Sequence, residues 1–285
     1  MTYDTLISAE KLATELASAA PPLVFDCSFD LTNPDAGRQA YEAAHLPGAF
    51  YLHLETVLSG RKTGFNGRHP LPGRDTFAES MAALGVSDDT QVVAYDNSGG
   101  MYAARLWWML RWAGHDAAAV LDGGLAAWKN ASLPLSSEAS SAPPRGRFSL
   151  RESLVHTLGY SDIQANIGSP AKLVIDARAP DRFRGENETL DKIGGHIPGA
   201  RNRLFKDNLG ADGRFKPADQ LRAEFDAVTG GRPAHELVNQ CGSGVTACHN
   251  ILAMEIAGLR GSALYPGSWS EYSAQPDANI AVGDS

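Results

Sequence analysis

An α/β fold, present twice, is what this sequence predicts. Three observations carry that prediction. Short β-branched runs alternate with helical patterns, the apolar runs are continuous instead of alternating, and the second half repeats the first. "LVFD" (23–26), "QVVAYD" (91–96), "AAVLD" (118–122) and "KLVIDAR" (172–178) read as strands buried on both faces, as parallel sheets require. Helices of about 10 to 14 residues between them imply right-handed crossovers and a parallel-sheet core with helices on both faces.

The repeat is legible motif by motif. "LVFDC" (23–27) matches "LVIDA" (173–177), and "AHLPGAF" (44–50) matches "GHIPGAR" (195–201). "RDTFAESMAALG" (74–85) matches "ADQLRAEFDAVTG" (218–230), both with apolar residues at helical spacing. "VVAYDNSGGMYAAR" (92–105) matches "LVNQCGSGVTACH" (237–249), and "VLDGGLAAW" (120–128) matches "LYPGSWSEY" (264–272). The Ser, Pro and Ala content of 130–148 cannot support a core. The expected division is therefore an N-terminal domain over 1–135, a linker over 136–150 and a C-terminal domain over 151–285. A chain of 285 residues accommodates two such cores.

A net charge of -8 argues against nucleic-acid or anionic-membrane partners, because no basic excess attracts phosphates. No run approaches a membrane-spanning length, and the first 26 residues lack the basic n-region of a signal peptide. Cys27, Cys241 and Cys248 form neither a disulfide framework nor a metal-ligand cluster, so a reducing cytoplasm and no metal or organic cofactor are expected.

In open parallel sheets, function collects at the carboxyl ends of strands. There the repeats differ: Cys241 stands where the first half has Asp96. Aspartate is an odd replacement for a packing cysteine, so one copy is expected to be active and the other inactive. "CGSGVT" (241–246) looks too small to hide its thiol. Its glycines let successive N–H groups turn inward as an anion-binding nest, and the following helix aims its positive end there. Both favour a thiolate. A cysteine phosphatase needs an arginine six residues on, where this chain has Ala247, with His249 nearest. Sulfur transfer, in which the thiolate takes up a sulfur atom as a persulfide, needs no such arginine.

With these motifs in order, the chain resembles the two-domain rhodanese-like sulfurtransferases, over essentially its whole length. "HLPGAF", "RLWWMLRWAGH", "DGGLAAW", "DARAPDRFRG", "GHIPGA", "CGSGVTACH" and "GSWSEY" carry the resemblance. Within the family the uncharged Gly242 and Ser243 resemble the 3-mercaptopyruvate branch, with thiosulfate transfer as the alternative donor chemistry. The resemblance implies that Cys241 is the nucleophile and sulfur carrier, and that the amides of Gly242, Ser243, Gly244, Val245 and Thr246 cradle the anion. Ser243 is implied in a relay with His69 of "HPLPG" and an acid from the N-terminal half, here Glu55. Arg182 of "DRFRG" is implied as the substrate-carboxylate arginine. The stretch where relatives carry a second arginine reads "ENETLDKIGGH" (186–196), leaving Lys192, Arg184 or Arg203 to stand in.

The implied partners are a small-molecule sulfur donor and a thiol acceptor such as thioredoxin, or cyanide, acting on a monomer. A persulfide carrier that docks on a partner and turns over nothing small is a further possibility. Other residues read as structural: Trp107, Trp108 and Trp112 as core or domain-interface residues of a helix, His45 and His196 in matching turns, Asp176 with Arg178 as an ion pair, and Cys248 buried on its helix.

Overall fold

The computed structural model describes residues 2–141, 143–169 and 171–284. Ala142 of the expected linker, and Met1 and Ser285 at the ends of the expected domains, lie outside them. Two compact units emerge: Met1–Gly60 with Pro72–Leu154 and Leu209–Phe215, and Arg61–Leu71 with Val155–Asn208 and Lys216–Ser285.

In the first unit the strands are β1 (Leu6–Ile7), β2 (Leu23–Asp26), β3 (Phe50–Tyr51), β4 (Val92–Tyr95) and β5 (Ala118–Leu121). They form one parallel sheet in the order β1-β5-β4-β2-β3. The helices are α1 (Ala9–Leu16), α2 (Ala36–Ala43), α3 (Arg74–Ala83), α4 (Ala103–Trp112) and α5 (Gly124–Asn130). Successive strand residues point to opposite faces, and here both sets are buried. Val24, Val93, Tyr95, Ala119 and Leu121 pack with Leu12 of α1 and Trp128 of α5. Phe25, Val92, Ala94 and Val120 are equally buried, and α4 packs on β4 and β5. This explains why the strands read as unbroken apolar runs. Trp107 and Trp108 of α4 are fully buried, as core residues, whereas Trp112 at its end is only half-buried.

The second unit repeats the plan with β6 (His156–Thr157), β7 (Leu173–Asp176), β8 (Arg201–Asn202), β9 (Leu237–Gln240) and β10 (Ala263–Leu264). Its parallel order is β6-β10-β9-β7-β8, strand for strand the order of the first sheet. Its helices are α6 (Tyr160–Asn166), α7 (Pro180–Arg184), α8 (Ala218–Thr229), α9 (Thr246–Ile256) and α10 (Ser268–Tyr272). Val174, Val238 and Ala263 meet Ile163, Phe183, Trp269 and Tyr272 on one face, and α9 packs on β9 and β10. No helix among the described residues is long and apolar enough to cross a membrane.

The helices are shorter than the sequence patterning implies: α5 and α6 have 7 residues, α7 and α10 have 5. In α7 the reason is local, since Gly185 takes a left-handed conformation that ends the helix. The repeat extends to fine detail. His45 stacks on Tyr41 with its Nδ1 2.6 Å from the Tyr41 carbonyl, and His196 stacks on Phe183 with its Nδ1 2.9 Å from the Phe183 carbonyl. Each then bridges to the chain leaving its unit, His45 to Ser136 and His196 to Ala281. Both imidazoles are therefore structural. The Ser- and Pro-rich stretch after Ser136 builds no core, yet its backbone is tied along the first unit. Gly146 donates to the Ala82 carbonyl and Ser149 to Asp88 Oδ1.

Candidate active site

Strands β4 and β9 each lie at the centre of their sheet, and their carboxyl ends carry the residues that distinguish the copies. In the first unit the loop after β4 closes on its own side chain. Asp96 Oδ1 accepts from the N–H groups of Ser98 and Gly100, each at 2.8 Å. Its Oδ2 accepts from Tyr102 at 2.8 Å and Ala103 at 2.9 Å. Four main-chain donors at the start of α4 thus surround one carboxylate. The loop is an anion nest, and the protein supplies the anion.

In the second unit Cys241 occupies that position, ahead of Gly242–Val245 and the first turn of α9. The loop backbone is braced from α10. Cys241 N–H donates to Ser268 Oγ at 3.1 Å, Trp269 N–H donates to the Cys241 carbonyl at 3.0 Å, and Ser270 N–H to the Gly242 carbonyl at 2.9 Å. Gly244 has φ +76, and a Cβ there would lie 2.3 Å from the Pro266 carbonyl oxygen, so only glycine fits. Contrary to the expectation of an uncovered thiol, Cys241 is only 2% exposed.

Ser243 is buried, and its Oγ lies 2.8 Å from Nδ1 of the buried His69. These two candidates are brought together although 174 positions separate them. His69 belongs to the segment Arg61–Leu71, which folds with the second unit instead of with the N-terminal half around it. The segment orders itself: Thr63 N–H donates to Asn66 Oδ1 and Asn66 Nδ2 to the Arg61 carbonyl. It is then pinned to α10, with Arg68 N–H donating to Ser270 Oγ at 2.9 Å and Gln275 Nε2 to the Phe65 carbonyl at 2.9 Å. Glu55 follows β3 in the first unit, where its N–H donates to His53 Nδ1 at 3.1 Å.

Arg182, on α7, donates from Nε and Nη2 to the two oxygens of Glu188 at 3.0 and 2.8 Å. Burial pushes the Glu188 carboxyl up, but the Arg182 hydrogen bond and the amides of Leu190 and Asp191 outweigh it and hold it below its ordinary value. Asp191 is shifted the other way, because burial exceeds what Arg68 and Arg182 return. The expected ion pair is present beneath the loop, with Arg178 Nη2 2.7 Å from Asp176 Oδ2 and its guanidinium over Trp269.

Of the cations expected to replace a second arginine, two are engaged elsewhere. Arg184 pairs with Glu186, and Arg203 reaches Glu224 and lies over Phe225. Lys192 lines a groove with Leu190, Ile193 and Ser270. Arg68 does reach the loop: a Cβ on Gly242 would lie 3.0 Å from Arg68 Nη2, with Arg182 Nη2 at 3.6 Å. Sequence reading missed it. The only signal was a basic residue directly before His69. His249 is fully buried and accepts from Asn208 Nδ2 at 3.1 Å, so it offers nothing to a phosphate. Cys248 is fully buried, with Sγ donating to the Gly244 carbonyl at 3.3 Å.

The model of the rhodanese-like domain matches residues 8–131 and again 160–275. This chain belongs to the rhodanese-like family. As a rhodanese-like protein it is 46% identical to the probable 3-mercaptopyruvate sulfurtransferase of Pseudomonas aeruginosa, over 100% of both chains. It is 41% identical to the human 3-mercaptopyruvate sulfurtransferase, covering 98% of this chain and 95% of that one. Thiosulfate sulfurtransferases are similar too: that of Cricetulus griseus is 36% identical over 99% and 97% of the two chains. Among solved structures, the 3-mercaptopyruvate sulfurtransferase from Leishmania major superposes with a TM-score of 0.83 at 33% identity, covering 95% of this chain and 74% of that one.

Proposed function

We propose that this protein is a 3-mercaptopyruvate sulfurtransferase. The Cys241 thiolate attacks the donor's sulfur, the carbon–sulfur bond breaks, and its electron pair leaves on the enolate carbon of pyruvate. A proton must then reach that carbon. The observation that carries the reading is the buried Ser243–His69 contact, two residues from Cys241. A hydroxyl oriented by an imidazole can deliver that proton and stabilise the developing enolate oxygen. Thiosulfate would release sulfite, already a stable anion, and would have no use for a proton donor there. The uncharged Gly242 and Ser243, and the closeness to the Pseudomonas and human enzymes, point to the same donor.

The outer sulfur of the persulfide rests in the backbone nest whose first-unit counterpart holds the Asp96 carboxylate. A second thiolate then takes that sulfur and regenerates Cys241. A dithiol protein of the thioredoxin kind, acting in a reducing cytoplasm, is the acceptor class that fits, and cyanide can substitute for it.

Intact mass after mixing with 3-mercaptopyruvate tests this. The expected result is a gain of one sulfur, about 32 Da, with one pyruvate released, and neither in Cys241→Ser. Loading by thiosulfate at a higher kcat/KM than by 3-mercaptopyruvate would assign the protein to the thiosulfate enzymes instead.

A further inference from the structure

We infer that Arg68 is the second substrate-binding cation of this enzyme, clamping the donor's carboxylate together with Arg182. The inference rests on the donor proposed above and adds a residue to it. Arg182 alone has spent much of its fork: Nε and Nη2 both donate to Glu188, leaving Nη1 uncommitted. The stretch 186–196 supplies no second arginine. Arg68 reaches the same place from a different part of the chain.

Its Nη1 is anchored, donating to the Leu190 carbonyl at 3.3 Å and to Asp191 Oδ1 at 2.8 Å. Its Nη2 points at Gly242, and its buried Nε has no hydrogen-bond partner among the described residues. Arg182 Nη1 and Nη2 would lie 3.8 and 3.6 Å from a Cβ on that same glycine. Two guanidinium groups thus present free N–H donors over the residue next to the nucleophile. A planar carboxylate bridged between two such forks is held by charge-assisted hydrogen bonds.

The surroundings keep both arginines in place while leaving those donors unused. Asp191 lies 2.8 Å from Arg68 Nη1 and 3.5 Å from Arg182 Nη2, so one carboxylate spaces the two forks. Arg68 is itself fixed at its backbone by Ser270, whose own N–H braces Gly242. Arg68 and the thiol loop are therefore referenced to the same turn of α10. The small size of Gly242 is part of the arrangement, since any side chain there would crowd Arg68.

The test compares wild type, Arg68→Ala and Arg68→Lys with two donors. One is 3-mercaptopyruvate; the other is mercaptoacetone, the same thiol and ketone without the carboxylate. For 3-mercaptopyruvate, Arg68→Ala is expected to raise KM by about tenfold to a hundredfold with kcat within about twofold, and Arg68→Lys to recover part of that loss. With mercaptoacetone the variants and wild type should have the same kcat/KM. An unchanged KM in Arg68→Ala, an equal loss in Arg68→Ala and Arg68→Lys, or an equal loss with mercaptoacetone would overturn the assignment, the last by exposing a structural role. If the wild type gains no sulfur from 3-mercaptopyruvate, the donor proposal itself fails. A wild type that loads normally while Arg68→Ala keeps its KM refutes the clamp alone.

Discussion

At the scale of single residues, the loops after β4 and β9 differ first in one side chain, Asp96 against Cys241. Asp96 satisfies four backbone donors with its own carboxylate. Asp96→Asn keeps one accepting oxygen and turns the other into a donor, so two buried N–H groups lose their partner. We expect a loss of about 2 to 4 kcal/mol in urea unfolding, with sulfur loading of Cys241 unchanged by mass. Ser243 belongs to the other loop. Ser243→Ala removes the hydroxyl but not the nest, so the mass gain of one sulfur should still be reached at long times, with sulfur loading and pyruvate formation slowed together by about a hundredfold. Pyruvate formation at the wild-type rate would remove Ser243 from the chemistry. Cys241 stood out in the sequence because it replaces Asp96 at a strand end, and Ser243, His69 and Arg182 entered as candidates through the motifs that carry the family resemblance. Arg68 did not, because nothing within "NGRHPLPG" indicates that the segment packs beside Gly242.

At the scale of elements, the carboxyl end of β9 is held by the turn into α10, which ties down Cys241 and Gly242 through three hydrogen bonds. Gly244 marks how close that approach is. In Gly244→Ala the new Cβ would meet the Pro266 carbonyl oxygen at 2.3 Å, at a φ that alanine disfavours. Scanning calorimetry should show the variant destabilised by about 2 kcal/mol or more, with slower sulfur loading. The central strands were legible because burial on both faces forces continuous apolar runs. Helix lengths were less so. Ends such as that of α7 are set by a glycine and by packing, which apolar spacing does not record.

At the scale of the whole molecule, the duplication gives two sheets of identical strand order, and the three cysteines are buried without a disulfide among the described residues. Stability therefore rests on packing and on a few well-placed ionic contacts. Glu224 of α8 is one. Burial pushes its carboxyl up, but Lys216, Arg203 and Gln220 outweigh that and hold it at about 2, against an ordinary 4.5. A folded value below the unfolded one stabilises the protein above the unfolded value, and that contribution is lost as pH falls from 4.5 through about 2. Glu224→Gln should cost about 1 kcal/mol near neutral pH and flatten the acid limb of stability measured by urea unfolding. An acid limb unchanged in the variant would show that the contact contributes nothing.

The sequence by itself determined the two α/β cores, their common ancestry of pattern, and which strand end carries the thiol. Those properties are local: apolar periodicity, glycine placement and a single Cys-for-Asp difference are all written within a few residues. Only the tertiary structure decided that residues 61–71 serve the second unit, bringing His69 to Ser243 and Arg68 to Gly242. The contacts that do so span 123 to 202 positions. A side chain's spacing within its own loop carries no record of the distant backbone that the loop will pack against.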